Sequence, residues 1–131
     1  MSTLKDKITE ISMERTVCAG TCPIYTVTFK SDGTAVYEGK EFVDKIGTYV
    51  GKVDEIEFKR LAFLIEKLNF LGLKDNYSIP VADHANVIIT VNYEDKVKGV
   101  DNYGDAGPVE VWAIEKVIDA MVEDIYWERS K

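Results

Sequence analysis

The sequence predicts a single α+β domain over residues 1–131: one twisted antiparallel sheet in the order ββββ-α-ββ-α, with two helices packed on one face. Three observations predict it. Several segments alternate apolar and polar residues with a period of two and are joined by short turns, the pattern of half-buried hairpin strands. Two longer segments carry apolar residues at steps of three and four, the pattern of a helix with one buried stripe. Hairpin strands pair antiparallel and each helix must lay its stripe on something, so the economical solution puts both helices on one sheet face. The other face is then solvated or available to a partner.

Residues 1 to 7 read as a loose start. Thr9 to Arg15 alternates, with Ile11 and Met13 on one face and Glu10, Ser12 and Glu14 on the other. A loop with both cysteines follows. Ile24 to Lys30 alternates strongly, with Tyr25, Val27 and Phe29 facing one way. Asp32-Gly33 is the strongest hairpin signal, because a type I′ turn needs two positive φ values that this pair tolerates. Thr34 to Glu38 returns, and Glu41 to Val53 holds a further strand, with Gly47 and Gly51 marking missing side chains.

The first helix is predicted from its signals at both ends. Asp54 is placed to cap it, Glu57 follows three residues on, and Val53 with Phe58 fits a hydrophobic staple. Phe58, Leu61, Ala62, Ile65 and Leu68 form its stripe, and it should stop before Gly72. Leu73 to Ala85 shows no period and reads as a long loop, of a kind that is often functional or mobile. Asn86 to Tyr93 and Lys96 to Tyr103 are two more strands. Pro108 fits the first position of the last helix, whose stripe is Val111, Ile114, Ile118, Met121 and Ile125, with Glu110, Glu115, Asp119 and Glu123 mostly elsewhere.

Composition narrows the function classes. The 46% apolar and 30% charged content is that of an ordinary globular protein. Acids outnumber bases 23 to 16, for a net charge of -7, which argues against nucleic-acid binding through a broad basic face. No apolar run approaches the roughly 18 residues of a membrane span. Met1 to Lys7 is polar, without the apolar core of a secretory signal, so a cytoplasmic protein is expected, or an exported one if a signal segment has been removed. The expected state is a monomer or weak homodimer with an unknown protein or small-molecule partner and no cofactor.

The candidate chemistry centres on Cys18-Ala19-Gly20-Thr21-Cys22-Pro23-Ile24-Tyr25. A Cys-x-x-x-Cys loop with Gly20 inside is flexible enough to bring the sulfurs together, as a disulfide or redox pair. In a cytoplasmic protein two reduced, partly buried thiols are the first expectation, ahead of the disulfide or redox pair. A third option is metal binding, with Cys18 and Cys22 joined by His84 and Asp83 from a distant loop. Nucleophilic catalysis would pair Cys18 or Cys22 with His84, the sole histidine. No phosphate-binding glycine loop, paired-carboxylate pattern or nucleophile elbow is present, so no catalytic residue is assigned.

The pattern Cys18-x-Gly20-x-Cys22-Pro23-x-Tyr25, followed by Asp32-Gly33 and Tyr37-x-Gly39, resembles a bacterial domain-of-unknown-function family that opens on this signature. The resemblance continues through Gly47, the Phe58 helix, Tyr77, Asp83 and Pro108. It implies a small α+β domain in which the cysteine pair, Gly20, Pro23 and Tyr25 belong to the family pattern, and some relatives resemble exported or lipid-anchored proteins. It implies no activity.

The leading expectation is a non-catalytic binding or interaction module with a local cysteine pair that forms a disulfide or redox switch. A thiol- or metal-dependent enzyme on Cys18, Cys22 and His84 is the rival. An acidic inhibitor or immunity-like protein that neutralises a basic partner is the third reading.

Overall fold

In the computed structural model, which describes residues 4–82 and 84–130, the expected α+β layering is present. A short α1 (Leu4–Lys7) leads into β1 (Ile8–Arg15), β2 (Ile24–Lys30), β3 (Thr34–Glu41) and β4 (Gly47–Lys52). Then come α2 (Glu55–Lys67), a 3-10 turn (Phe70–Gly72), β5 (Asn76–Tyr77), β6 (Asn86–Tyr93), β7 (Lys96–Tyr103), α3 (Val109–Asp124) and β8 (Glu128–Arg129). Among the described residues the strands form one eight-stranded sheet in the order β5-β7-β6-β1-β2-β3-β4-β8.

The architecture departs from the expected two helices and six antiparallel strands: α1 is a third helix, and two short strands extend the sheet. The segment read as a structureless loop contains β5, which pairs with β7 in parallel through Asn76–Asp101 and Tyr77–Asn102. The terminal β8 adds a second short edge beside β4. Both are two residues long, below the length at which alternation becomes visible in a sequence. Such short edges also limit the unpaired backbone offered to another chain.

The period-two reading places the core correctly. Ile11, Met13, Val27, Phe29, Ala35, Ile89, Val91 and Val100 are fully buried on one sheet face, under Leu61, Ala62 and Ile65 of α2 and Val111, Ile114 and Ile118 of α3. The opposite face presents Ser12, Thr26, Thr28, Val36 and Thr90, each only half-buried. β1 is central, antiparallel to β2 on one side and β6 on the other, and it is bulged at Thr9, where Ile8 pairs with Tyr93 but Glu10 with Asn92.

Local signals mostly act as their chemistry dictates. The Asp54 carboxylate accepts from the Ile56 N–H at 2.7 Å and caps α2, while Val53 and Phe58 are both buried. Glu57 pairs with Arg60 at 3.0 Å on the exposed face. The β2–β3 turn is not the expected type I′: only Gly33 has a positive φ, +96°, and three residues connect the strands. Pro108 is the N-cap of α3 rather than its first helical residue. Glu115, read as lying off the buried stripe, is 2% exposed. Its position on the helix faces the sheet, and Asn102 of β7 supplies the hydrogen bond that lets it stay there, at 2.9 Å.

Candidate functional site

A cleft of about 620 Å³ lies between α3, the β2 and β3 strands, and the β3–β4 loop, residues 42–46. Its floor is aromatic. Tyr37 stacks on Tyr25 with ring centroids 5.4 Å apart and leans on Trp127 at 5.5 Å. Tyr49 meets Tyr37 edge-on at 6.0 Å. These rings face inward because positions 25, 27 and 29 and positions 35 and 37 share the helix-facing parity of β2 and β3. Trp127 closes the floor from the C-terminal segment, where its indole N–H donates to the Val122 carbonyl at 2.9 Å.

Two glycines set the cleft's shape. The β3–β4 loop folds back over β3 so closely that a Cβ at Gly39 would lie 1.8 Å from the Lys45 carbonyl oxygen. The Tyr37 hydroxyl donates to that same carbonyl at 3.2 Å and pins the loop. A Cβ at Gly51 would lie 2.8 Å from Ile125 and 3.1 Å from Trp127, so the side-chain gap in β4 is what admits the C-terminal segment. Phe42 opens the loop with φ of +58° and is 52% exposed at the rim. A bulky residue in the left-handed region stores strain, which is found preferentially at functional sites.

One end of the cleft is built from three side chains distant in sequence. Arg15, the last residue of β1, donates to both carboxylate oxygens of Asp119 on α3, at 3.2 and 2.5 Å. The Tyr25 hydroxyl donates to the same carboxylate. Arg15 and Tyr25 are themselves a cross-strand pair, the last before the cysteine loop. Burial works against the Arg15 charge, but the hydrogen bond and attraction of Asp119 outweigh it and hold the guanidinium pKa above its ordinary value. Burial, then the Asp119 hydrogen bond, push the Tyr25 hydroxyl well up. Tyr25 is therefore a fixed neutral donor, not a base. Deeper along α3, burial raises the Glu115 carboxyl pKa despite its bond to Asn102 and the nearby Arg15 charge. Asn102 spends its carbonyl oxygen on the Gly107 N–H at 2.8 Å, so the polar row is closed on itself.

The residues singled out in the sequence divide between this cleft and other places. Cys18 and Cys22, expected first as reduced thiols, instead form a disulfide with Cα atoms 6.0 Å apart, closing the loop that joins Arg15 to Tyr25. In this state neither sulfur is a thiolate able to attack or to ligate. Gly20 lies inside the ring, where its N–H donates to the Cys18 sulfur at 3.3 Å and a Cβ would meet only that sulfur, at 4.0 Å. Pro23 and Tyr25 line the cleft itself. His84 is exposed and contacts Tyr103, whose hydroxyl accepts from the His84 backbone N–H at 3.3 Å and whose ring lies edge-on at 6.4 Å. Asp83 falls outside the described residues. Among the described residues no three His, Cys, Asp or Glu side chains converge as a metal site. No described helix is long and apolar enough to cross a membrane.

In the sequence Arg15, Asp119 and Trp127 carry no assigned site role, and Tyr37 enters only within the Tyr37-x-Gly39 part of the family pattern. A signal for two of them was present. Arg15 is a cation on the same strand parity as Ile11 and Met13, and Asp119 follows the buried Glu115 by one helical turn. Opposite charges on facing apolar stripes are the trace of an internal ion pair.

No curated protein matches this sequence. Comparison with protein families matches residues 9–122 to a domain of unknown function, DUF6438, a span that takes in the disulfide loop, α2 and nearly all of α3. The chain therefore belongs to the DUF6438 family.

Proposed function

We propose that the protein is a non-catalytic binding module whose ligand occupies the cleft between α3 and the β3–β4 loop. The observation that carries this reading is a concavity of about 620 Å³ with an aromatic floor, a charged rim and internal polar groups already bonded to one another. Volumes of roughly 300–1,000 Å³ are typical of small-ligand sites, and this one sets charged side chains around its aromatic floor, which suits a polar ligand. The internal ion pair fixes the shape of the cleft before a ligand arrives, which lowers the ordering cost of binding.

The Cys18–Cys22 ring acts as a local staple on the wall that carries Pro23, and it is the redox-sensitive part of the module. A dithiol reductant would pass two electrons and two protons to the bond, leaving two thiols and its own disulfide. The protein works as a monomer or weak homodimer in this reading.

A direct test is amide resonance mapping with p-cresol, benzamidine and N-acetyl-tyrosine amide as probes. Shifts clustered on Tyr25, Phe42, Ala120 and Trp127 are expected. Shifts scattered over the surface, or none, would remove the cleft as the site.

A further inference from the structure

The cleft is charged with both signs, and the signs are separated along its length. On the α3 wall, Lys116 stands one turn before Asp119 and two turns before Glu123. At about 1.5 Å of rise per residue, Lys116 and Glu123 spring from points roughly 10 Å apart. Near Lys116 the Arg15 charge is neutralised by its two-point bond to Asp119. Lys116 itself has no ion-pair partner among the described residues. At the other end Glu123 and Asp44, from opposite walls, both act on the Tyr37 hydroxyl and help burial raise its pKa. Neither carboxylate is ion-paired among the described residues. Lys45, next to Asp44 in the chain, also lines the cleft, so the two acids leave that end net negative. One end is thus cationic and the other anionic, in a cleft floored by the rings of Tyr37 and Trp127.

We propose that this cleft binds a short zwitterionic peptide of about three residues, its ammonium between Asp44 and Glu123 and its carboxylate at Lys116. The proposal rests on the cleft being a binding site and adds the chemical class of its ligand. An extended chain covers about 3.3–3.6 Å per residue, so three residues match the separation of the backbone points from which the Lys116 and Glu123 side chains spring. The aromatic floor takes the central side chain, and Phe42, half-exposed at the rim, offers it a second apolar surface. A dipeptide and a hexapeptide match this spacing less well than a tripeptide.

The test is calorimetric titration of the whole, oxidised protein with Ala-Tyr-Ala bearing free termini, with its N-acetylated and C-amidated forms, and with Ala-Tyr and a hexapeptide. Amide shifts are recorded alongside. The free tripeptide is expected to bind best, with each blocking group weakening binding about two- to fivefold, the size of an exposed charge pair. Asp44→Asn combined with Glu123→Gln should abolish the discrimination against the acetylated peptide alone, and Lys116→Gln that against the amidated peptide alone. All three residues are at the surface, so folding is checked by dichroism and expected to be unchanged. Equal binding of free and blocked peptides, or discrimination that survives both substitutions, would overturn the ligand class. If p-cresol and benzamidine shift the cleft resonances but no peptide does, the peptide assignment falls and the cleft reading stands. If neither moves them, both fall.

Discussion

Arg15 and Asp119 lie 104 positions apart in the chain and meet in a two-point ion pair that ties the central strand of the sheet to its last helix. The Arg15 side chain is 17% exposed and that of Asp119 32%. Water therefore screens the pair only in part, and the third partner, Tyr25, completes the carboxylate's hydrogen bonding.

Removing one half of this pair should cost more than removing both. Asp119→Ala leaves a half-buried guanidinium unpaired and the Tyr25 hydroxyl without its acceptor. A fully buried pair loses about 3–5 kcal/mol in this way, and partial exposure brings the expectation down to about 2 kcal/mol. The double variant Arg15→Met, Asp119→Leu should recover at least half of that loss. Urea denaturation of the single and double variants measures both, and an additive double variant would contradict the coupling.

Glu115 makes stability depend on pH. Its pKa is raised in the folded protein by burial, so the folded state prefers the protonated carboxyl. Its contribution is complete below the ordinary carboxyl pKa of 4.5 and is lost as pH rises through the higher folded value. Glu115→Gln keeps an acceptor for the Asn102 amide and carries no charge. It should stabilise the protein at pH 7 by on the order of 1 kcal/mol and flatten the fall in stability above pH 4.5. Thermal melts of both proteins across pH 4 to 8 decide it, since unchanged slopes would mean the carboxylate is well solvated.

The cysteine ring should contribute a small, measurable stability. A loop this short gives roughly 2 kcal/mol in the chain-entropy model. Non-reduced intact mass should be lower by two hydrogens than the reduced mass. Adding dithiothreitol, or making Cys18→Ser with Cys22→Ser, should lower the urea midpoint by an equivalent amount. The full reduced mass in freshly purified protein would show two thiols instead.

Gly39 and Gly99 offer an internal contrast. A Cβ at Gly39 would lie 1.8 Å from the Lys45 carbonyl, so Gly39→Ala must displace the loop that forms one cleft wall and should cost about 2 kcal/mol or more. At Gly99 the nearest atom would be 3.8 Å away, and Gly99→Ala should change stability by less than about 0.5 kcal/mol. Only the first substitution should also shift the Phe42 and Tyr37 resonances. Similar melting points for the two would show that the loop gives way freely.

Much of the fold is legible because its signals are local. Alternation in Ile24–Lys30 and Asn86–Tyr93 sets which side chains face the core, and the Asp54 cap with its Val53–Phe58 pair starts α2. Each depends on neighbours within a few residues, where periodicity and capping chemistry act. The cysteine spacing likewise permits the ring, since only four positions separate the sulfurs. The cleft is different in kind. Tyr37 meeting Trp127, Arg15 meeting Asp119, and Glu115 meeting Asn102 are pairings between strands and a helix that no local period encodes. They follow from strand order, register and the laying of α3 across one sheet face, and these are set by the packing of the whole core. The chain's own pattern therefore determines the elements and their buried faces, while tertiary packing alone decides which charged and aromatic residues come together to form a site.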